Sequence, residues 1–359
     1  SAPKPSASPE PVAAVPPTDT PKPSGMSFRK VMRTSRRAML VGGAGIVLSG
    51  AGAALLYRGR QKPPIDPPDK PITKPDGPAV VVKREPIRVG VINSIAGTLS
   101  ISARPVIEAT TLAIDEINAR GGILGRQIEP IIADAKSDNA LFAREAERLI
   151  TENHVVTLFG GWSSSNRRSM RPIVERYQNL LMFPARDEGL EDSLNIIYCG
   201  PVPNQLVMPS LTYCLDTLKV QRIFFMGTDG LFSHTAAEMV RDALVGKKAK
   251  LAGEEFALLG EKGFNSEIKK IQSARPDIIF NSLIGSSNID FMAQLRAAGI
   301  TSKQAPVLSF TMAENELAQI ADIDLTGDYV AASYFQALPR KQNQDFVNRF
   351  RQKFGEHRV

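Results

Sequence analysis

From Ile87 onward the chain repeats one unit: a short run of aliphatic residues, then a longer segment with apolar residues at helical spacing. The run at 87–92 leads into a predicted helix over 101–120, with Val106, Ala109, Ala113 and Ile117 on one face and Gly121-Gly122 as its stop. A strand is predicted at 128–133, a helix capped by Asp138 and running to 152, a strand at 155–159, a helix at 164–177 and a strand at 180–183. After Pro203 the rhythm starts again, with helices over 203–218, 235–245, 265–274, 288–298 and 344–354 and strands at 222–226, 251–256, 277–281, 306–309 and 329–332. Such alternation builds parallel sheets covered by helices on both faces, and two runs in series make two doubly wound α/β lobes with a cleft between them. Ligands of open α/β sheets lie beyond the carboxyl ends of the strands, so the loops after Ile92, Phe159, Phe183, Met226, Asn281 and Ser309 are where function is expected.

Ahead of this module the composition is different. Residues 1–25 hold eight prolines among small and polar residues, a composition too poor in large apolar groups to fold. Basic residues Arg29, Lys30, Arg33, Arg36 and Arg37 precede an uncharged stretch over 38–57, and Arg58, Arg60 and Lys62 close it. That length suits a helix crossing a hydrocarbon core of about 30 Å. It reads as a single-pass transmembrane anchor or as an export signal, since Thr34-Ser35-Arg36-Arg37 is similar to a twin-arginine motif. Either reading, together with the basic flank, makes 1–37 a Pro-rich, basic cytoplasmic tail and puts residues 58–359 on the extracytoplasmic, periplasmic side. A second Pro-rich stretch, 58–85, reads as a stalk.

The net charge of +7 would suggest a nucleic-acid partner, but it is concentrated in this leader. Residues 1–85 carry 14 Lys and Arg against 6 Asp and Glu, leaving 30 against 31 in the rest. A nearly neutral module offers no phosphate-tracking face, and no nucleic-acid binding is expected. Catalysis finds as little support. The three histidines, His154, His234 and His357, have no metal-ligand spacing, and neither a phosphate-binding glycine loop nor a nucleophile elbow occurs. No enzyme activity, catalytic residue, metal or cofactor is expected. Cys199 and Cys214 are expected as thiols, with a disulfide as the alternative.

The informative loop is Gly160-Gly161-Trp162-Ser163-Ser164-Ser165-Asn166-Arg167, which sets the chain's single tryptophan and a run of hydroxyls at a helix N-terminus. There they can hold a small polar solute or simply cap the helix. With IRVGVINSIAGTLSI (87–101), IDEINARGGILGRQ (114–127), FGGWSSSNR (159–167), Phe183-Pro184, Glu188-Gly189-Leu190 and Asn204-Gln205, the chain resembles the substrate-binding proteins of urea and short-chain amide ABC transporters, within the type I periplasmic binding class that includes branched-chain amino-acid binders. The resemblance runs from Ile87 to the end. It implies two Rossmann-like lobes, 86–205 and 206–330, closing on a solute, with 331–359 returning to the first lobe as a segment shorter than the family's. It implies a pocket lined by Trp162, Ser163 and Ser164 with Ser94 and Thr98 nearby. The other strand-end loops add Phe183, Asp187, Asp229, Phe232 and Ser286 as candidate ligand residues.

The family's pattern is also broken here. Phe183-Pro184-Ala185-Arg186-Asp187-Glu188-Gly189 replaces two tyrosines and introduces a charge pair, which reads either as a surface ion pair or as a ligand contact. Gly227-Thr228-Asp229-Gly230 lacks a pocket tyrosine, and Ile284 stands where Asn is common. The expected function is capture of a small polar solute, urea, short-chain amide or amino-acid-like, for delivery to an ABC permease. The alternative is the sensing ectodomain of a receptor whose signalling domain lies in the cytoplasm.

Overall fold

A computed structural model describes residues 85–358. The tail, the hydrophobic segment 38–57 and the stalk lie outside the described residues, and no described helix is long and apolar enough to cross a membrane.

Among the described residues ten strands form two five-stranded sheets, each wholly parallel. Strands β1 (Ile87–Asn93), β2 (Ile128–Asp134), β3 (Leu158–Gly160), β4 (Leu181–Phe183) and β5 (Ile196–Tyr198) make the first, in the order β2-β1-β3-β4-β5. Strands β6 (Arg222–Thr228), β7 (Lys250–Ala257), β8 (Ile278–Ser282), β9 (Val307–Ser309) and β10 (Tyr329–Val330) make the second, in the order β10-β9-β8-β6-β7. The central strands β1, β6 and β8 are buried along most of their length, as parallel strands covered on both faces must be.

Helices α1 (Ser100–Ala119), α2 (Asn139–Thr151) and α3 (Ser164–Arg176) flank the first sheet. Phe142, Leu149, Met170 and Val174 close one of its faces, and Ile107 and Ile114 of α1 close the other. Helices α4 (Pro203–Asp216), α5 (Leu231–Leu244), α6 (Asn265–Ala274) and α7 (Ser286–Ala297) flank the second sheet, followed by the short α8 (Glu314–Leu317). Val207, Leu211 and Cys214 of α4 belong to the second lobe's core with Phe225 and Val240. Helix α9 (Lys341–Phe354) returns to the first lobe, where Arg349 pairs with Glu116 of α1 at 2.7 Å and Lys353 pairs with Asp115.

Three elements were not foreseen, β5, α8 and the 3-10 turn Ala318–Ile320 that follows it, and α5 begins at Leu231 rather than at 235. Gly230, its N-cap, offers no side-chain cap, so the local sequence carries no start signal there. Asp138 caps α2 as expected, accepting from the Leu141 amide at 2.8 Å. The two cysteines are free thiols, with Cys214 buried and Cys199 exposed.

Candidate functional site

Helix α3 and the turn before it build the first wall of the cleft. Gly160 has φ +143°, and a β-carbon there would meet the Ile92 carbonyl oxygen at 1.7 Å, so only glycine lets the chain leave β3 so close to β1. The turn that follows carries Trp162 outward. Ser163 then caps α3: its hydroxyl accepts from the Asn166 amide at 3.2 Å while the Asn166 side chain accepts from the Ser163 amide at 3.0 Å. Asn166 also donates to the Asn139 side chain at 2.9 Å, which fixes the start of α2 beside it. The first-turn amides of Ser164 and Ser165 have no acceptor within the helix and stand at its electropositive end.

Trp162, Ser163, Ser164, Ser165, Asn139 and Arg186 of the first lobe face the loops after β6, β7 and β8 of the second. Together they enclose a cleft of about 410 Å³, within the usual range for small-molecule sites. The second lobe contributes Asp229, Phe232, Leu258, Leu259 and Ile284, with Thr228 and Ser282 at the base. Asp229 pairs with His234 at 2.7 Å, both half-exposed, and the His234 ring stacks on Phe256. The Arg186 guanidinium lies over Trp162 at 5.4 Å and over Phe232 at 5.8 Å, so one cation bridges an aromatic ring from each lobe. Burial pushes this guanidinium down to about 10, opposed by the charge of Glu316, and it remains a cation at neutral pH.

Beneath the Ser164 floor lies a buried ionic cluster. The Ser164 hydroxyl bonds to Glu188, whose other oxygen meets Arg167 at 2.7 Å, and Glu191 meets the same guanidinium at 2.6 Å. Arg167 is fully buried and stacks against Phe183 and Tyr198. Burial weakens its charge, but Glu188 and Glu191 outweigh that effect and raise it above its ordinary value.

Of the expected ligand residues, Trp162, Ser163, Ser164, Asp229 and Phe232 come together in the cleft. The other five are not on its lining. Phe183 is the buried last residue of β4, packed under the Trp162 turn beside Arg167. Asp187 is buried with one oxygen accepting from the Gly189 amide at 2.8 Å and the other without a partner. It makes no ion pair with Arg186: the two neighbours point opposite ways, one into the lobe and one into the cleft. Ser94 has its hydroxyl tied to the Ser137 amide at 3.0 Å. Thr98 and Ser286 meet each other instead, through a carbonyl and an amide at 3.1 Å, where the lobes touch. Gly285 has φ +67° at this junction, and a β-carbon there would lie 2.5 Å from the Thr98 carbonyl oxygen. Ser165, Asn139, Leu258 and Leu259 also line the cleft and were not expected there, and Arg186, left open between a surface ion pair and a ligand contact, lines it too. For Arg186 the signal was visible, as a charge gained in a strand-end loop.

Two parallel α/β lobes with a mixed polar and aromatic cleft between them are the architecture of the periplasmic binding proteins. The chain belongs to the family described as periplasmic binding protein domain, which it matches over residues 87–359. It is 21% identical over 221 residues to an amino acid binding protein of Pseudomonas aeruginosa, an alignment covering 60% of this chain and 58% of that protein. Its fold is shared with the branched-chain amino acid transporter substrate binding protein LivJ of Streptococcus pneumoniae in complex with isoleucine, at a TM-score of 0.66 and 20% identity over 75% of this chain and 77% of that one. The solute binding protein of an ABC transporter from Rhodopseudomonas palustris in complex with 3,4-dihydroxybenzoic acid is equally similar, at a TM-score of 0.67 and 17% identity over 75% and 74%.

Proposed function

We propose that this module captures a small organic solute in the cleft, outside the cytoplasm, and presents it to an ABC-type permease. The observation that carries the reading is the enclosure of one cleft by the Trp162 to Ser165 turn of one lobe and the Asp229 to Phe232 loop of the other. Closing the lobes on a solute removes it from water on all sides, which is the mechanical basis of such a clamp. The cleft far exceeds the volume of a urea molecule, and its rings and leucines favour a solute with an apolar body. Amino acids and aromatic acids, the ligands named for the related structures, are of that kind. Urea and short-chain amides are the smaller end of the same range.

A thermal-shift series with urea, acetamide, leucine, isoleucine and benzoate tests the reading. Ligand at a hundredfold excess over Kd stabilises the bound state by about 2.7 kcal/mol, expected as a rise of several degrees. The shift should vanish in Trp162→Ala and Ser164→Ala. A shift that survives both substitutions would place the solute elsewhere.

A further inference from the structure

Arg186 is the cleft residue whose charge has no counterpart in contact. Among the described residues no group accepts a hydrogen bond from it. Its charged group lies over two rings, at 5.4 and 5.8 Å, neither of which offers an oxygen to its five N–H groups, and the residue lines the cleft. The carboxylate that acts on it electrostatically, Glu316, already has both oxygens engaged: one accepts from the Ser102 hydroxyl, the other from the Ala313 amide at 3.0 Å. Asp229, the other charged residue on the lining, is taken by His234.

Beside the serine hydroxyls and Asn139, the lining carries an apolar stretch. Phe232, Leu258, Leu259 and Ile284 come from the second lobe and Trp162 from the first. A planar fork of donors matches a carboxylate through two parallel bonds, and such bonds gain strength where water is excluded. A neutral amide supplies one good acceptor and brings its own N–H donors against a cation. A zwitterionic amino acid would bring an ammonium group for which the only carboxylate on the lining, Asp229, is one already shared with His234.

We propose that the solute is an organic carboxylate with an apolar body and no cationic group, its carboxylate held edge-on by Arg186 between Trp162 and Phe232. This rests on the cleft being the solute site, and it names the solute's class.

The test uses isothermal titration of the whole chain with two acid and amide pairs, benzoate with benzamide and isovalerate with isovaleramide, and with leucine. Trp162 is the chain's only tryptophan, so its fluorescence reports filling of the cleft in parallel. At least one acid is expected to bind tenfold or more tightly than both its amide and leucine. In Arg186→Gln the acid should weaken by roughly ten- to a hundredfold and the acid-to-amide ratio should collapse toward one. Arg186→Lys, which keeps the charge and loses the fork, should retain part of the preference. Because the ratio is taken within one preparation, it does not depend on how much of a variant is folded. The proposal is overturned if an amide or leucine binds as tightly as the acids, if neither acid binds, or if Arg186→Gln keeps the ratio. Tight binding of leucine or an amide that is lost in Trp162→Ala would sink the carboxylate and leave the cleft reading standing. Binding of any of the five that persists in Trp162→Ala, or of none, would count against both.

Discussion

The side-chain amide of Asn315, in the second lobe, donates to the backbone carbonyl of Ile101, in the first, at 2.8 Å. That carbonyl is free because Pro105, four residues on in α1, has no N–H to offer it. A helix defect in one lobe is thus completed by a side chain of the other, beside the Thr98 to Ser286 bond and the Ser102 to Glu316 bond. Asn315→Leu removes the donor and weakens the contact between the lobes by about 1 kcal/mol, the usual worth of a neutral hydrogen bond. Solute affinity, measured by titration, should fall by about two- to tenfold with the lobes' own folding unchanged.

Arg167, with Glu188 and Glu191 around it, is the second prediction. Removing one partner of a buried ion pair leaves an uncompensated charge and costs about 3–5 kcal/mol. Arg167→Met should lower the urea unfolding midpoint accordingly. Solute binding should weaken too, because Glu188 then has only the Ser164 hydroxyl to hold it under the cleft floor.

Burial raises the carboxyl groups of Asp187, Glu316 and Asp328 above their ordinary values. A carboxyl whose native value is raised binds its proton more tightly in the folded than in the unfolded chain. Its contribution is therefore most favourable at and below the unfolded value, about 4, and is lost as pH rises through the native one. Stability should decline from about pH 4.5 toward neutrality. Glu175, Glu261 and Asp324, whose values are lowered, act in the opposite sense below that window. In Glu316→Gln, urea unfolding followed across the same range should show a flatter slope.

The thiols give a fourth check. Cys199 is exposed, whereas burial pushes the Cys214 thiol up to about 11. A colorimetric thiol reagent at neutral pH should titrate one cysteine in the native protein and two in denaturant.

Most of the architecture was legible in the sequence, since parallel strands advertise themselves as apolar runs and α2 and α3 carry their caps in plain residues. What was not legible was decided at a distance. β5 is three residues long, and it is a strand because Phe183, Met182 and Leu181 of β4 offer it a partner. Leu258 and Leu259 reach the cleft because β7 pairs along β6, an edge position that local pattern does not disclose. Arg186 and Asp187 look alike as neighbours in a loop. The turn after β4 sends one to the cleft and one to the core, and only the finished lobe separates them.

The reciprocal cap between Ser163 and Asn166 divides the cleft into two kinds of position. Ser163 cannot change without loosening α3, and Ser164 cannot change without taking one of Glu188's two partners away. Ser165, Leu258 and Ile284 face the same space with no side-chain hydrogen bond among the described residues. Divergence of specificity, natural or engineered, would therefore run through these three, leaving the scaffold to be inherited intact while the preference drifts.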